Sequence, residues 1–156
     1  MTSHGLLSVV VKKAKTGEVV QCAKLKHNLL TNNGRDGFHN LIYTNASGTY
    51  RAFYAIGLTE STITPADTDT TLTGEISTNG LARVDAGTHS HTTGTNTSLV
   101  EHTFTATGAF TNVQASATFN ATSSGTMGHI ATFATGSGTL ATNDTLKVSW
   151  TFTLDD

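Results

Sequence analysis

The sequence predicts a mainly β protein, a jelly-roll-like or Greek-key sandwich of about eight strands with one short helix near residues 32–43. Three observations carry this reading. Threonine supplies 32 of the 156 residues, and its β-branched side chain suits a pleated surface while its hydroxyl keeps the outer face of a strand wet. Short runs of alternating apolar and polar residues recur between clusters of Gly, Ser and Asn, the spacing of a sandwich or barrel. The last run alternates cleanly, with Leu146, Val148, Trp150, Phe152 and Leu154 on one side and Lys147, Ser149, Thr151 and Thr153 on the other.

The elements follow in order. Residues 5–13 and 18–26 are β-rich and flank Ala14-Lys15-Thr16-Gly17, which reads as a hairpin. Asn28-Leu29-Leu30-Thr31 then offers a helix N-cap, and Phe38, Leu41 and Ile42 fall at i, i+3, i+4 on one face of a helix ending near Tyr43. Gly34 and Gly37 count against that helix, because glycine costs about 1 kcal/mol in a helix interior. A turn is expected at residues 45–48 and an apolar, mid-sheet strand at 50–58. Residues 59–72 hold the only proline, Pro65, among Asp and Thr side chains suited to turns, and read as a loop. Further strands are expected at 81–85, 99–107, 111–119, 127–135 and 145–154, with Phe104, Phe119, Ile130, Phe133, Val148, Trp150 and Phe152 in the core.

Length implies one domain over residues 1–156, with the hairpin 5–26 as an element that could dock on a partner. Charged residues are 13% of the chain and the net charge is -2, so hydroxyls and amides must carry solubility, and net charge selects no class of partner. The single Cys22 sits in an alternating strand and is expected to pack as a small apolar side chain. The opening residues lack the basic-apolar-small order of a secretion signal, and no apolar run approaches 18 residues, so a protein made in the cytoplasm without a membrane span is expected.

The usual carriers of catalysis are missing. There is no G-x-S-x-G, H-E-x-x-H, G-x-x-x-x-G-K-[ST] or C-x-x-C, and the reading is of a protein that is not an enzyme and needs no cofactor. One constellation bears on metals: His89 and His91 project to one side if Thr88-His89-Ser90-His91 is a strand, with Asp85 before and His102 after. Two imidazoles between Gly87 and Gly94 are an incomplete set, so a solvated loop without metal is expected. Five of the nine basic residues, Lys12, Lys13, Lys15, Lys24 and Lys26, lie in the first hairpin against one acid, Glu18. Lysine rows deter edge-to-edge pairing; the functional reading is docking on an acidic protein surface. Nucleic acid is not expected, because interleaved aromatics and a basic total are absent.

Three stretches resemble, in order, a group of small virion proteins of tailed bacteriophages. They are residues 27–36 (HNLLTNNGRD), residues 55–72 (AIGLTESTITPADTDTTL), and FNATSSGTM at 119–127 running into NDTLKVSWT at 143–151. The similar proteins carry N-L-[IL]-T-N-x-G, A-[IL]-G-x-G…P-A-x-x-D-T-x-L and F-N-A…G-T-M…D-x-L-x-V-x-W. Thr59 stands where they have a second glycine, and residues 89–96 are an insert relative to them. The resemblance implies a structural β-sandwich of the virion with no catalysis. Within that class the expectation is a capsid decoration or cement protein that binds the major capsid protein; the alternative is a tail, baseplate or fibre-tip component, including receptor or glycan binding. Low charge and an apolar-leaning hairpin suggest covered surface, and a homotrimer would suit the three-fold positions of a shell.

Overall fold

The computed structural model describes residues 2–43 and 52–155. The order is β1 (Thr2–Lys12), β2 (Val19–His27), β3 (Leu29–Leu30), α1 (Asn32–Tyr43), β4 (Ala55–Thr59), β5 (Val84–Asp85), β6 (Thr88–His91), β7 (Thr97–Thr105), β8 (Ala115–Phe119), β9 (Met127–Thr132) and β10 (Thr145–Asp155). The expected strands all form, and the short β3 and β6 are added to them. Several boundaries move: the strand expected at 81–85 is reduced to Val84–Asp85, and the one expected at 127–135 ends at Thr132. The strand expected at 50–58 starts at Ala55, with Tyr50 and Arg51, like the turn at 45–48, outside the described residues. The strand expected from Thr111 starts at Ala115, because the chain before it bonds first to the stretch at 137–140, Phe110 with Leu140 and Val113 with Ser137 by two bonds each, and only at Gln114 N to Thr59 O of β4.

Two antiparallel five-stranded sheets make the sandwich, in the orders β2-β1-β10-β7-β6 and β3-β9-β8-β4-β5. The first and last strands are neighbours in the middle of the first sheet, in continuous register from Thr2 opposite Asp155 to Lys12 opposite Thr145. The N-terminal hairpin is therefore built into the body, and only β2 lies at an edge. Leu7, Val9 and Val11 of β1 are completely buried against Val148 and Trp150 of β10 and Ile56 and Leu58 of β4. The seven aromatic and aliphatic residues expected in the core are all buried or, for Phe152, partly buried against it. Cys22 is also buried, and burial raises its thiol pKa, so it stays a packed neutral side chain.

Phe119 and Ile130 belong to a second cluster with Ala55, Leu72, Ala117 and Met127. Alternation explains this. Ile56 and Leu58 of β4 face the first sheet, so Ala55 and Gly57 face away from it, and β4 and β8 are buried along their whole length. The chain that follows β4 covers that outer face with Leu72 and Ile63, which pack on the cluster, and then returns beside β4, where Ile76 N donates to Leu58 O at 2.8 Å and the Ile76 side chain joins the first cluster. The expected loop is thus a third layer.

Arg83 ties this layer down. Its guanidinium forms a fork with Glu75 (Nε–Oε1 2.6 Å, Nη2–Oε2 2.5 Å), donates to the carbonyl oxygens of Ser124 and Ala121, and lies 3.4 Å over the Phe119 ring. Gly57 leaves room for it, since a Cβ there would stand 2.6 Å from Glu75 Oε1. Lysine keeps the charge but not the planar fork or the stacking, so Arg83→Lys is expected to cost about 1 to 3 kcal/mol in denaturant unfolding.

The helix covers the span expected. Thr31 is its cap: Gly34 N donates to Thr31 Oγ1 at 3.0 Å, and the same hydroxyl donates to Met127 O at 2.8 Å, so one buried side chain starts α1 and fixes it to β9. The glycines that weaken the helix as a sequence allow its approach. A Cβ on Gly34 would stand 2.3 Å from Gly128 O, and one on Gly37 would meet the Phe53 ring at 2.8 Å. Of the face expected to be buried, Phe38 is half-buried, Leu41 is 47% exposed and the Ile42 side chain lies outside what is described. No helix among the described residues is long and apolar enough to cross a membrane.

Candidate functional site

The hairpin lysines do not act alike. Lys13 turns back on the body: its Nζ is 3.5 Å from Asp144 Oδ2 and also donates to the Thr139 carbonyl. Asp144 accepts from the backbone N–H groups of Ala141 (3.0 Å) and Ala14 (2.7 Å), and these bonds, with Lys13, hold its carboxyl below the usual carboxylate range. Lys13 is therefore a fastener between the β1–β2 turn and the start of β10. Lys12, Lys15 and Lys24 are exposed, and the side chain of Lys26 lies outside what is described. Lys147, opposite Val10 on the outer face, is 3.0 Å from Glu101 Oε1. Among the described side chains, the unpaired positive charge of this hairpin comes down to Lys12, Lys15 and Lys24, beside an exposed Glu18.

Residues 88–91 form an edge strand where a loop was expected, paired with β7 so that His89 lies opposite Val100 and His91 opposite Ser98. The two histidines share a face, as spacing requires, but separate groups occupy their rings. His89 Nε2 is 2.9 Å from Asp85 Oδ1, and His91 Nδ1 is 2.8 Å from Thr97 O. Bonds from His89 and from Gly87 N hold the Asp85 carboxyl low. His102 Nδ1 is 3.0 Å from Ala86 O. Among the described residues no three His, Cys, Asp or Glu side chains converge as a metal ion would require.

A third place went unnoticed in the sequence. A pocket of about 200 Å³ opens between α1, the chain at 52–53, and the inner faces of β7, β9 and β10. Phe38, Phe53, Val100, Phe152 and His129 line it, with Leu41 and Leu154. His129 is 2% exposed. Its ring is 4.5 Å from the Phe152 ring and edge-on to Phe53 and Phe38 at 5.9 and 6.3 Å between centroids. Nδ1 is 3.0 Å from Thr118 Oγ1, while Nε2 is buried without a hydrogen-bond partner. Burial pushes the imidazole pKa down to about 3, which keeps the ring neutral. The available signal was a histidine at an inward position of an otherwise apolar strand.

In comparisons with protein families, with curated proteins and with solved structures, no match to the chain was found.

Proposed function

We propose that the protein is a structural component of a bacteriophage virion, a decoration or cement subunit that binds the major capsid protein and stabilises the shell without catalysis, and that it does so as a homotrimer. The observation that carries the docking half of this reading is the corner where Lys12, Lys15 and Lys24 stand exposed while Lys13 and Lys147 are taken up by Asp144 and Glu101. Three exposed lysines on one hairpin, Lys12 at the end of β1, Lys15 in the turn and Lys24 on the edge strand β2, suit an acidic shell surface.

The virion half rests on the phage resemblance, whose residues hold this fold together. Thr31 caps α1, Leu72 closes the second cluster, Asn120 Oδ1 accepts from Thr126 N at 2.7 Å, Asp144 fastens the hairpin, and Trp150 fills the core. A pattern made of such keystones describes an architecture, and a durable architecture is what a shell accessory needs.

The test follows from the division among the lysines. A Lys12→Glu, Lys15→Glu, Lys24→Glu variant should fold as the parent does, whereas Lys13→Glu would place a carboxylate beside Asp144 and weaken the fold itself. The triple variant is expected to decorate particles poorly. Attachment of the parent should also weaken between 0.1 and 1 M salt, as the Debye length falls from about 10 to about 3 Å. Equal binding by variant and parent, or a location confined to the tail, would remove the capsid reading and leave the tail or fibre-tip role. Light scattering of the same preparations gives the oligomeric state, expected to be three chains.

A further inference from the structure

We propose that the pocket over His129 binds a small single-ring aromatic alcohol, a phenol, whose hydroxyl bonds His129 Nε2 while its ring lies among Phe38, Phe53 and Phe152. This site is independent of the lysine corner and of the virion reading.

Size sets the first limit. A dry cavity of about 150 Å³ holds benzene, and pockets for larger ligands begin near 300 Å³, so 200 Å³ suits one ring with a substituent better than the whole of a long chain or a fused-ring cofactor. Lining sets the second. Three phenylalanine rings and Val100 make an apolar wall that receives an aromatic ring through offset or edge contacts. Among the described residues no Asp, Glu, Lys or Arg lines the pocket, so a charged ligand would lose its hydration without compensation from them.

The buried nitrogen sets the third. Buried polar atoms nearly always find partners, and an orphan costs about 1 to 3 kcal/mol. Here Thr118 occupies Nδ1 and nothing occupies Nε2. The Thr118 hydroxyl can donate to Nδ1 or accept from it, which leaves Nε2 as a donor or as an acceptor respectively. A ligand hydroxyl serves both cases, because it also donates and accepts. A carbonyl or an ether would serve only one. The exposed Leu41 and Leu154 at the rim give the ring an apolar approach from solvent.

The test is a titration of the intact protein with phenol and with benzene, followed by NMR of the aromatic protons and of the ring nitrogens of His129. Phenol is expected to saturate with a dissociation constant on the order of 1 mM, to shift the Nε2 resonance, and to bind about fivefold tighter than benzene, the worth of one net hydrogen bond. In His129→Phe the two ligands should bind equally. Ala52→Trp fills the pocket from an exposed position, and there phenol binding should be lost while the fold is kept. Absence of saturation by about 20 mM phenol, shifts that avoid Phe38, Phe152 and His129, or equal binding of phenol and benzene to the parent protein would each overturn the proposal. These readouts need only the parent protein, so they hold even if His129→Phe fails to fold.

Discussion

Trp150→Ala is expected to destabilise the protein by about 3 to 5 kcal/mol, the range for removing a buried large aromatic side chain. Trp150 has no exposed surface and lies in β10, between β1 and β7 in the middle of the first sheet. It stacks on Phe152 with 6.0 Å between centroids and 10° between planes, and its Nε1 donates to Ser116 Oγ on the opposite sheet at 3.2 Å. One substitution therefore opens a cavity between the sheets and removes a bond that joins them. Domains are stable by about 5 to 15 kcal/mol, so the loss would be a large share of the total. Trp150→Phe, which keeps most of the volume and loses the bond, should cost about 1 to 2 kcal/mol. Denaturant melts read both values, and a loss under about 1 kcal/mol for the alanine variant would show that this side chain is not between the sheets.

Acid should destabilise the fold through His129 well before the carboxylates titrate. The buried imidazole has its pKa lowered from 6.5 to about 3. In the unfolded chain it takes up a proton near pH 6.5, while the folded protein takes it up only near pH 3. Between these values the unfolded state binds more protons, so stability rises with pH, is fully present above about 6.5 and is lost as pH falls. The slope is about 1.4 kcal/mol per pH unit, or about 2.5 kcal/mol between pH 6.5 and 4.5 and between 4 and 5 kcal/mol down to pH 3. Asp85, Asp144 and Glu101 have lowered pKa values, and their contributions begin to fade only from about pH 5 downward, where carboxylates of the unfolded chain take up protons, so most of the loss above about pH 4.5 belongs to the imidazole. Unfolding free energies measured at pH 7 and pH 4.5 should differ by this amount in the parent and be nearly equal in His129→Phe. An unchanged difference in the variant would place the acid sensitivity elsewhere.

The same histidine shows where sequence reading ran out. Alternation in residues 127–132 says that His129 faces one side of a strand, but both sides of β9 are buried, and only the sandwich shows that its side carries Phe38, Phe53 and Phe152. The lysine corner was half apparent. The five lysines cluster in the chain, yet that Lys13 belongs to Asp144 depends on a contact across 131 residues of sequence, which no local pattern encodes.

Local chemistry by itself determined a good deal: the hairpin at 5–26, the helix at 32–43 with an N-cap within residues 28–31, the eight principal strands, and the burial of Trp150. These follow from β-branching, capping and the two-residue period, which act over a few neighbours and hold wherever the segment lies. Tertiary structure alone decided that the first and last strands are neighbours, that the chain after β4 folds back as a covering layer, that Gly34 and Gly37 serve close packing, and that His129, with one unpartnered ring nitrogen, lines an apolar pocket. Those features arise from pairings between segments far apart in the chain, whose choice depends on the burial of all the other segments at once.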